Sequence, residues 1–420
     1  MNTQAFAPMT KNYDIAIVGG GASGMMAAIA TKRTEKNLRV CVLERLPRVG
    51  KKLLATGNGR CNLTNEHISP ECFHGKRLWI SSVLSHYDVG AVQSQFKQLG
   101  LLTAPDDKGR VYPLSLQASA VLDVLRLSME ELGIAVYTDT DIITIKKGFL
   151  LTAKNGFRIK CRAVIMASGG PASPKLGGTD AGLRLLSALG HPIVQPLPAL
   201  VPLLTDATLV RALKGQRFSG RIALMSGAQV HAEREGEILF TDTGFSGIAS
   251  MELGQCAAQL IHAKKKAEIS LSLFSMPQSG MFEILIDRRS QMPHRLLEDF
   301  LTGMIAKRIA QSLLKSANIG PLSRTVDSLS DTQLHALSAK LVDWRMPLTG
   351  TQGLESAQVS AGGLDTDYFD CQTLESTIVP GLYATGEVLN IHGDCGGYNL
   401  HFAWVSALTA AQSICRFLKG

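Results

Sequence analysis

The order of apolar and polar positions near the start of the chain predicts a βαβ unit. Residues 13–18 (YDIAIV) form a short apolar run that leads into a glycine-rich turn and then into small residues from about Met25. A second apolar run, residues 39–43, ends at Glu44, which lies twenty residues after Gly24. Strand, tight turn, helix and strand in this order are typical of one βαβ unit in an α/β sheet.

Further along, the pattern changes twice. Apolar residues at helical spacing predict a helix over residues 115–132, and residues 163–166 (AVIM) predict a buried strand. Three prolines at positions 196, 198 and 202 then mark a boundary. Strand-like segments follow at 237–241 and 283–287, and residues 291–340 have a mostly helical pattern. Near the other end, residues 357–360 and 381–387 return to the glycine-rich style of the first part.

We therefore predict an α/β protein with a mostly parallel, Rossmann-like sheet that is interrupted by an insertion. Residues 1–194 and 345–420 would form one discontinuous domain, completed by a terminal helix over 399–418. Residues 195–344 would form the insertion, β-rich over 195–290 and helical over 291–344.

Composition limits the protein class. The 420 residues are 45% hydrophobic and 19% charged, which is typical of globular proteins. No apolar run reaches the roughly 18 residues of a membrane span, and the first dozen residues lack the apolar core of a signal peptide. Eight cysteines occur without a CxxC pair or zinc-like spacing, so we expect neither a disulfide framework nor a metal. We predict a cytoplasmic protein that does not enter membranes.

The net charge of +8 and the pI near 9.0 favour anionic partners, either a dinucleotide or a nucleic acid. The densest basic cluster is the lysine triplet 264–266, and it has no aromatic neighbours on which bases could stack. This favours a solvated surface over an RNA-binding one.

The glycine-rich turn has the spacing Gly19-x-Gly21-x-x-Gly24. In this motif the first glycine allows the tight turn, the second lets the backbone approach a pyrophosphate, and the third lets helix and strand pack closely. The pyrophosphate lies at the helix N-terminus, where unpaired N–H groups face it. Glu44 would accept hydrogen bonds from ribose hydroxyls and repel a 2′-phosphate, so the resident dinucleotide is predicted not to be NADP.

Residues 50–62 (GKKLLATGNGRCN) form a second glycine-rich loop. Lys52, Thr56, Arg60 and Asn62 supply more polar groups than a surface turn requires. We predict that this loop binds an anion or a polar ring; the alternative is a turn with solvated lysines.

Three more motifs follow apolar strands or precede a helix. Residues 167–170 (ASGG) and 384–387 (ATGE) are strand-end turns, and ligands of open α/β sheets gather at the carboxyl ends of strands. Residues 392–399 (HGDCGGYN) precede the terminal helix, whose positive end suits the negative charge of a reduced flavin.

These motifs together resemble the BaiN-like family of bacterial NAD(P)/FAD-dependent oxidoreductases, which includes the aminoacetone oxidase-like flavoproteins. The resemblance covers nearly the whole chain, and it is carried by residues 19–24, 51–65, 109–113 (GRVYP), 198–202 (PALVP), 360–363 (SAGG) and 381–400. It implies a glutathione-reductase-type FAD domain with a β-rich and helical insertion. Family members usually carry Asp at the position of Asn390.

Motifs and resemblance together predict a set of cofactor-binding residues. They are Gly19, Gly21, Ala22, Ser23, Gly24, Glu44, Arg45, Lys52, Thr56, Gly57, Gly59, Arg60, Cys61, Asn62, Val136, Ala167, Ser168, Gly169, Gly386, Glu387, Gly397, Tyr398, Asn399 and Leu400.

The leading hypothesis is a flavin oxidoreductase that reduces an unsaturated or carbonyl compound of small size, with electrons from NAD(P)H. Candidate proton donors are His392, Asp394, Tyr398 and Arg60, which lie in or beside the flavin loops. No second GxGxxG follows residue 190, so a nicotinamide would bind only transiently. Cys61 and Cys395 form an alternative redox pair if they are adjacent in space.

Three other functions stay open at this point. One is an amine oxidase whose flavin is reoxidised by oxygen. Another is an FAD-dependent tRNA-modifying protein whose basic insertion grips RNA. The last is a flavin-binding scaffold or sensor without turnover. The sequence specifies no oligomeric state.

Overall fold

The computed structural model describes residues 10–419, which form two compact units. The second unit is Leu197–Gln358, and the first unit contains the described residues on either side of it. The expectation that the first dozen residues are not a signal peptide falls mainly on residues 1–9, which lie outside the described part. The division of the chain into an FAD-binding domain and an insertion domain stays a prediction.

Strands are numbered in chain order as β1 Thr10–Asn12, β2 Ile15–Val18, β3 Val40–Leu43, β4 Thr64–Asn65, β5 Phe73–His74, β6 Thr103–Pro105, β7 Arg110–Pro113, β8 Ala135–Tyr137, β9 Ile142–Lys146, β10 Leu150–Ala153, β11 Arg158–Lys160, β12 Ala163–Met166, β13 Ile193–Ala199, β14 Leu203–Leu204, β15 Arg217–Ser226, β16 Gln229–Phe240, β17 Gly244–Ser246, β18 Glu268–Ser272, β19 Trp344–Pro347, β20 Gly350–Thr351, β21 Val359–Leu364, β22 Leu382–Ala384 and β23 His392–Gly393.

Helices are numbered likewise as α1 Ala22–Thr34, α2 Lys51–Ala55, α3 Arg77–Leu84, α4 Val89–Gln98, α5 Ala118–Glu131, α6 Ala181–Ser187, α7 Ala207–Val210, α8 Ile248–Glu252, α9 Gly254–His262, α10 Gln278–Gln291, α11 Lys307–Ser316, α12 Asp331–Val342, α13 Gly353–Ser356 and α14 Tyr398–Lys419.

A five-stranded parallel sheet organises the first unit, in the order β22-β12-β2-β3-β8. Every residue of β2, β3 and β12 is buried, as expected of strands covered on both faces. Helices α1 and α14 pack against each other. The predicted Rossmann-like α/β class is confirmed, and the carboxyl ends of β2, β3, β12 and β22 lie at one edge of the sheet.

A seven-stranded sheet organises the second unit, in the order β19-β18-β15-β16-β17-β14-β20 with antiparallel pairing. Strands β19 and β20 belong to this sheet, so residues 345–351 lie in the second unit and not in the first, where they were predicted.

The predicted strand at residues 283–287 is wrong, because these residues lie in α10. Met281 and Leu285, one helical turn apart, are both fully buried, so the apolar period there is that of a helix. Helices α8 and α9 also interrupt the region predicted as β-rich, and residues 291–344 are only partly helical.

Other predicted elements differ at their ends. The terminal helix begins at Tyr398 and ends at Lys419, while strand β21 begins at Val359, two residues later than predicted. Within residues 10–419, no helix is both long and apolar enough to cross a membrane, and no group of three or more His, Cys, Asp and Glu side chains could hold a metal ion.

Candidate functional site

The turn after β2 has the geometry that its three glycines predict. A Cβ on Gly19, whose φ is +111°, would lie 2.3 Å from the Ala167 carbonyl oxygen. A Cβ on Gly24 would lie 2.0 Å from the Gly19 oxygen. A Cβ on Gly21 would have nothing within 4 Å. The outer glycines are therefore required by packing, whereas Gly21 faces open space at the N-terminus of α1, where a pyrophosphate can approach.

Glu44 closes the base of this turn. Its Oε2 accepts a hydrogen bond from the Gly20 N–H at 2.7 Å, and its Oε1 accepts one from the Leu46 N–H at 2.8 Å. Each carboxylate oxygen keeps a further lone pair. The carboxylate is thus fixed at the end of β3, with acceptor capacity left for ribose hydroxyls.

Glu387 joins three segments that are far apart in sequence. Its Oε2 lies 2.7 Å from the Lys52 Nζ in α2, and its Oε1 accepts from the Ser360 N–H at 2.9 Å. The Ser360 hydroxyl in turn accepts from the Ala172 N–H at 3.0 Å. The turns that follow β12 and β22 are thereby brought together with α2.

The loop from Thr56 to Asn62 has an unusual backbone. Gly57, Asn58, Gly59 and Cys61 all have positive φ, the left-handed region that glycine and asparagine adopt most readily. The Thr56 hydroxyl donates to the Leu53 carbonyl at 2.6 Å and ends α2. Arg60 is exposed, whereas Cys61 and Asn62 are buried. The Asn62 Oδ1 has no hydrogen-bond partner within the described residues.

The second glycine turn, formed by Gly396 and Gly397 before α14, lies against residues 62–65. A Cβ on Gly397 would be 2.5 Å from the Thr64 carbonyl oxygen and 2.7 Å from the Asn62 Oδ1. The Asn65 Nδ2 donates to the Gly396 carbonyl at 2.9 Å. The turn at the N-terminus of α14 therefore sits directly on the 62–65 segment, and only glycine fits at position 397.

Asn399 holds the preceding backbone in place with its amide. Its Oδ1 accepts from the Gly393 N–H and its Nδ2 donates to the Gly393 carbonyl, both at 2.8 Å. This two-bond clamp fixes the course of residues 393–397 before α14 begins.

We expect Asn399→Ala to loosen this clamp. The two short hydrogen bonds, of about 1 kcal/mol each, are lost together with a longer one from the Nδ2 to the Asp394 carbonyl at 3.4 Å. The free energy of unfolding should therefore fall by about 2 kcal/mol, and FAD should bind about tenfold more weakly. Urea unfolding and FAD titration of the apoprotein measure the two effects. Asn155→Ala is the matched control, because it removes one turn hydrogen bond, to the Phe157 N–H, outside these loops. An unchanged FAD affinity in Asn399→Ala would contradict the prediction that Asn399 belongs to the FAD site.

A histidine pair and a carboxylate lie beside the clamp. Strands β5 and β23 place His74 opposite His392, with the rings stacked at 4.7 Å between centroids. The His74 Nε2 is 2.7 Å from the Asp394 Oδ1. Burial and the neighbouring His74 lower the pKa of His392 to about 3, against the opposing effect of Asp394. His392 is therefore a neutral imidazole at neutral pH.

A second buried histidine lies one turn into α14. The His401 Nδ1 is 2.8 Å from the Thr64 Oγ1, and its Nε2 has no partner among the described residues. Burial lowers its pKa to about 4, although the charge of Asp88 opposes this. The neutral ring is thus part of the packing under the second glycine turn.

The remaining predicted residues are less informative. The Ser23 hydroxyl donates to the Thr385 carbonyl at 3.5 Å, and the Arg45 guanidinium donates to the Gly177 carbonyl at 3.1 Å. Val136 is the middle residue of the three-residue edge strand β8. Ala22 and Leu400 are half-buried in the first turns of α1 and α14, and Ala167, Ser168 and Gly169 form the turn after β12. Their contacts with a cofactor stay predictions.

Neither Cys61 nor Cys395, the proposed redox pair, is in a disulfide bond. Burial raises the pKa of Cys61 to about 12. Since the thiolate is the reactive form, Cys61 is inert at neutral pH.

Sequence patterns did not indicate His74, Thr64 or Ser360 as site residues. His74 lies in a two-residue strand that is too short to produce a periodic pattern. Ser360 belongs to the SAGG motif, and that motif is the one sequence feature from which its position could be inferred.

These features fit FAD. Gly21 offers an open approach at a helix N-terminus, Glu44 offers carboxylate acceptors, and the buried Asn62 Oδ1 and Thr385 Oγ1 lack partners among residues 10–419. Buried polar atoms normally have a partner, and a bound cofactor can supply one.

Comparison with known proteins identifies the family. The HI0933-like protein Rossmann domain matches residues 13–413. The chain belongs to this family. It is 35% identical over 404 residues to the 3-dehydro-bile acid delta(4,6)-reductase of Clostridium scindens, covering 95% of this chain and 98% of that protein. It is 26% identical over 408 residues to the ribosomal RNA dihydrouridine synthase of Escherichia coli, with 96% and 98% coverage.

Solved structures support the fold of this HI0933-like protein. The 3-ketosteroid delta1-dehydrogenase of Sterolibacterium denitrificans has a TM-score of 0.54 at 13% identity, with 96% and 99% coverage. The 3-ketosteroid-delta4-(5alpha)-dehydrogenase of Rhodococcus jostii has a TM-score of 0.50 at 16% identity, with 98% and 100% coverage. Family membership and the site confirm the prediction of an FAD-dependent oxidoreductase.

Proposed function

We propose that this HI0933-like protein reduces an unsaturated or carbonyl compound of small size, with NAD(P)H as the electron donor. The observation that carries the substrate class is the 35% identity to a bile acid reductase over 95% of the chain. A carbon–carbon double bond conjugated with a carbonyl is the preferred target, because the carbonyl makes the distant alkene carbon an acceptor for hydride.

Two parts of the protein would hold FAD. The N-terminus of α1 at Gly21 would hold the pyrophosphate, and Glu44 would hold the adenosine ribose. The turn at Gly396 and Gly397, followed by the positive end of α14, would face the pyrimidine side of the flavin. When bound, FAD supplies two-electron redox chemistry, and the protein supplies binding, orientation and electrostatics.

Anaerobic reduction of the purified yellow protein tests the proposal. We expect NADH or NADPH to bleach the flavin band, and a conjugated steroid enone or cyclohexenone to restore it. A flavin that neither nicotinamide bleaches, but that an amine bleaches and oxygen restores, would replace the reductase by an amine oxidase. A protein that turns over neither NAD(P)H with an enone nor an amine with oxygen would contradict both functions.

The ribosomal RNA dihydrouridine synthases give a second candidate function. Dihydrouridine is uridine with a hydrogenated ring double bond next to a carbonyl, so the chemistry is of the same kind. However, Leu197–Gln358 contains seventeen Lys and Arg against fifteen Asp and Glu, which is not the excess of cations expected of an RNA-gripping insertion. RNA binding that weakens steeply with salt would favour this candidate.

We also propose that the protein is cytoplasmic. None of the eight cysteines is in a disulfide bond, as is usual in reducing compartments, and four of them are buried.

A further inference from the structure

His74 has the surroundings of a proton donor. Its Nε2 lies 2.7 Å from the Asp394 Oδ1. The backbone of Asp394 is itself held, because its N–H donates to the Cys72 carbonyl at 2.9 Å. No hydrogen bond joins the other ring nitrogen, Nδ1, to a described residue. A carboxylate that orients one imidazole nitrogen and leaves the other available is the arrangement by which histidine exchanges protons in enzymes.

Stacking fixes the plane of the His74 ring. His392 lies parallel to it, at 18° between planes, and is itself buried at 5% exposure. The His74 side chain is 37% exposed and Asp394 is 22% exposed. The pair is thus rigid on its inner side and open to water on its outer side, from which a lost proton can be replaced.

The other candidate donors are less suited to this task. His392 is neutral and buried, and a buried neutral imidazole is a weak acid. The Arg60 guanidinium does not release its proton in proteins. Asp394 is an ion-pair partner, and Lys76, two residues from His74, is engaged by Asp365 and Asp367. His74 is a titratable group of this cluster that is both oriented and exposed.

The proposed reaction requires one such group. Reduction of a double bond conjugated with a carbonyl adds a hydride, with its two electrons, to one alkene carbon and a proton to the neighbouring carbon. The π bond breaks and two C–H bonds form. The reductant of the proposed function supplies the hydride, and a side chain or water must supply the proton.

We propose that His74, oriented by Asp394 and stacked on His392, donates this proton, and this inference rests on the proposed function. After transfer, the neutral imidazole regains a proton from water at its exposed side. Asp394 is the positioning residue, because it acts on substrate only through His74.

The first test is His74→Gln, which keeps a side-chain amide donor toward Asp394 but removes the acid. General acids contribute roughly 100- to 10,000-fold, so we expect enone reduction to slow by at least about 100-fold. Flavin bleaching by NAD(P)H, measured separately under anaerobic conditions, should stay within about twofold of wild type. His86→Gln is the matched control, since His86 is half-buried and its Nε2 lies 3.4 Å from the Cys371 carbonyl, away from Asp394. Equal enone reduction in His74→Gln and wild type overturns the inference.

Chemical rescue distinguishes proton donation from a structural role. Imidazole added to His74→Ala should restore a large part of the lost enone reduction, because the vacated position is partly exposed. Imidazole should not affect His86→Ala. A His74→Ala variant that binds FAD but is not rescued would contradict proton donation.

A double-variant comparison tests the role of Asp394. In Asp394→Asn the His74 Nε2 loses the carboxylate that orients it, so enone reduction should slow while flavin bleaching by NAD(P)H stays close to that of wild type. In the His74→Gln background the same change should slow enone reduction no further, because Asp394 acts only through His74. An equal slowing in both backgrounds would remove Asp394 from the proposal.

Carbethoxylation by diethyl pyrocarbonate, followed by mass spectrometry, gives a readout independent of turnover. The saturated ketone product should protect His74 of the holoprotein and leave His86 reactive. Equal reaction at His74 with and without product would place the substrate elsewhere. If wild type neither bleaches with NAD(P)H nor reduces an enone, the proposed function fails first, and the two failures are therefore distinguishable.

Discussion

Gly21→Ala should weaken FAD binding by about 100-fold or more while leaving the apoprotein fold intact. An added methyl group meets no protein atom within 4 Å, and the backbone φ of −82° suits alanine. The space that the methyl group takes is the approach of the pyrophosphate to the helix N-terminus. A 100-fold loss corresponds to about 2.7 kcal/mol of binding free energy. FAD titration of the apoprotein measures the affinity, and urea unfolding of the apoprotein measures the fold.

Gly24→Ala is the matched comparison, because its added methyl group clashes with the protein itself and not with the bound pyrophosphate. Its methyl group would lie 2.0 Å from the Gly19 carbonyl oxygen and 3.2 Å from the Ala167 Cβ, so α1 must move away from β2. Overpacking of this kind costs about 1–3 kcal/mol. We expect Gly24→Ala to lose both stability and FAD, whereas Gly21→Ala loses only FAD. Normal FAD affinity in Gly21→Ala would mean that the pyrophosphate does not bind at this turn.

Acidification from pH 7 to pH 5 should destabilise the protein by about 4 kcal/mol through two buried histidines. The pKa of His392 is about 3 and that of His401 about 4 in the folded protein, against about 6.5 in the unfolded chain. Because the unfolded chain takes up protons first, stability is complete above about pH 6.5 and is lost as the pH falls toward the folded values. Linkage gives about 2 kcal/mol for each ring at pH 5.

Urea midpoints at the two pH values measure this loss. Other groups also titrate in this range, so the comparison that matters is between wild type and variants. His392→Asn combined with His401→Gln should lower stability at pH 7 and flatten the fall toward pH 5, whereas His86→Gln should follow wild type. Parallel falls in wild type and the double variant would show that these rings are not held neutral in the folded state.

Much of the fold follows from local sequence patterns. The βαβ unit was predictable because β2 and β3 are short, wholly apolar and separated by a glycine turn and a helix of small residues. The strand at 283–287 was not predicted correctly, because four-residue spacing of Met281 and Leu285 was obscured by a short apolar run. Strands β19 and β20 were assigned to the wrong unit, since their partners are more than seventy residues away for β19 and almost one hundred and fifty for β20.

The candidate site was predictable in part for the same reason. Motifs that follow strand ends, such as the turns at Gly19 and Thr385, could be placed at one sheet edge from the topology of parallel sheets. His74 could not, because its relation to Asp394 spans 320 residues and depends on a pair of two-residue strands. The Glu387 contacts with Lys52 and Ser360 likewise involve long-range tertiary packing without a local pattern.

The order of elements in the parallel sheet has a consequence for synthesis on the ribosome. Strand β12 pairs on one side with β2 and on the other with β22, which follows about two hundred residues later. At roughly 5–20 residues per second, the growing chain presents the open edge of β12 for on the order of ten to forty seconds. During that interval the nascent chain also lacks α14, which covers α1 in the finished molecule. Occupation of this temporary edge by a chaperone would therefore matter more for the yield of FAD-loaded protein than for its final stability.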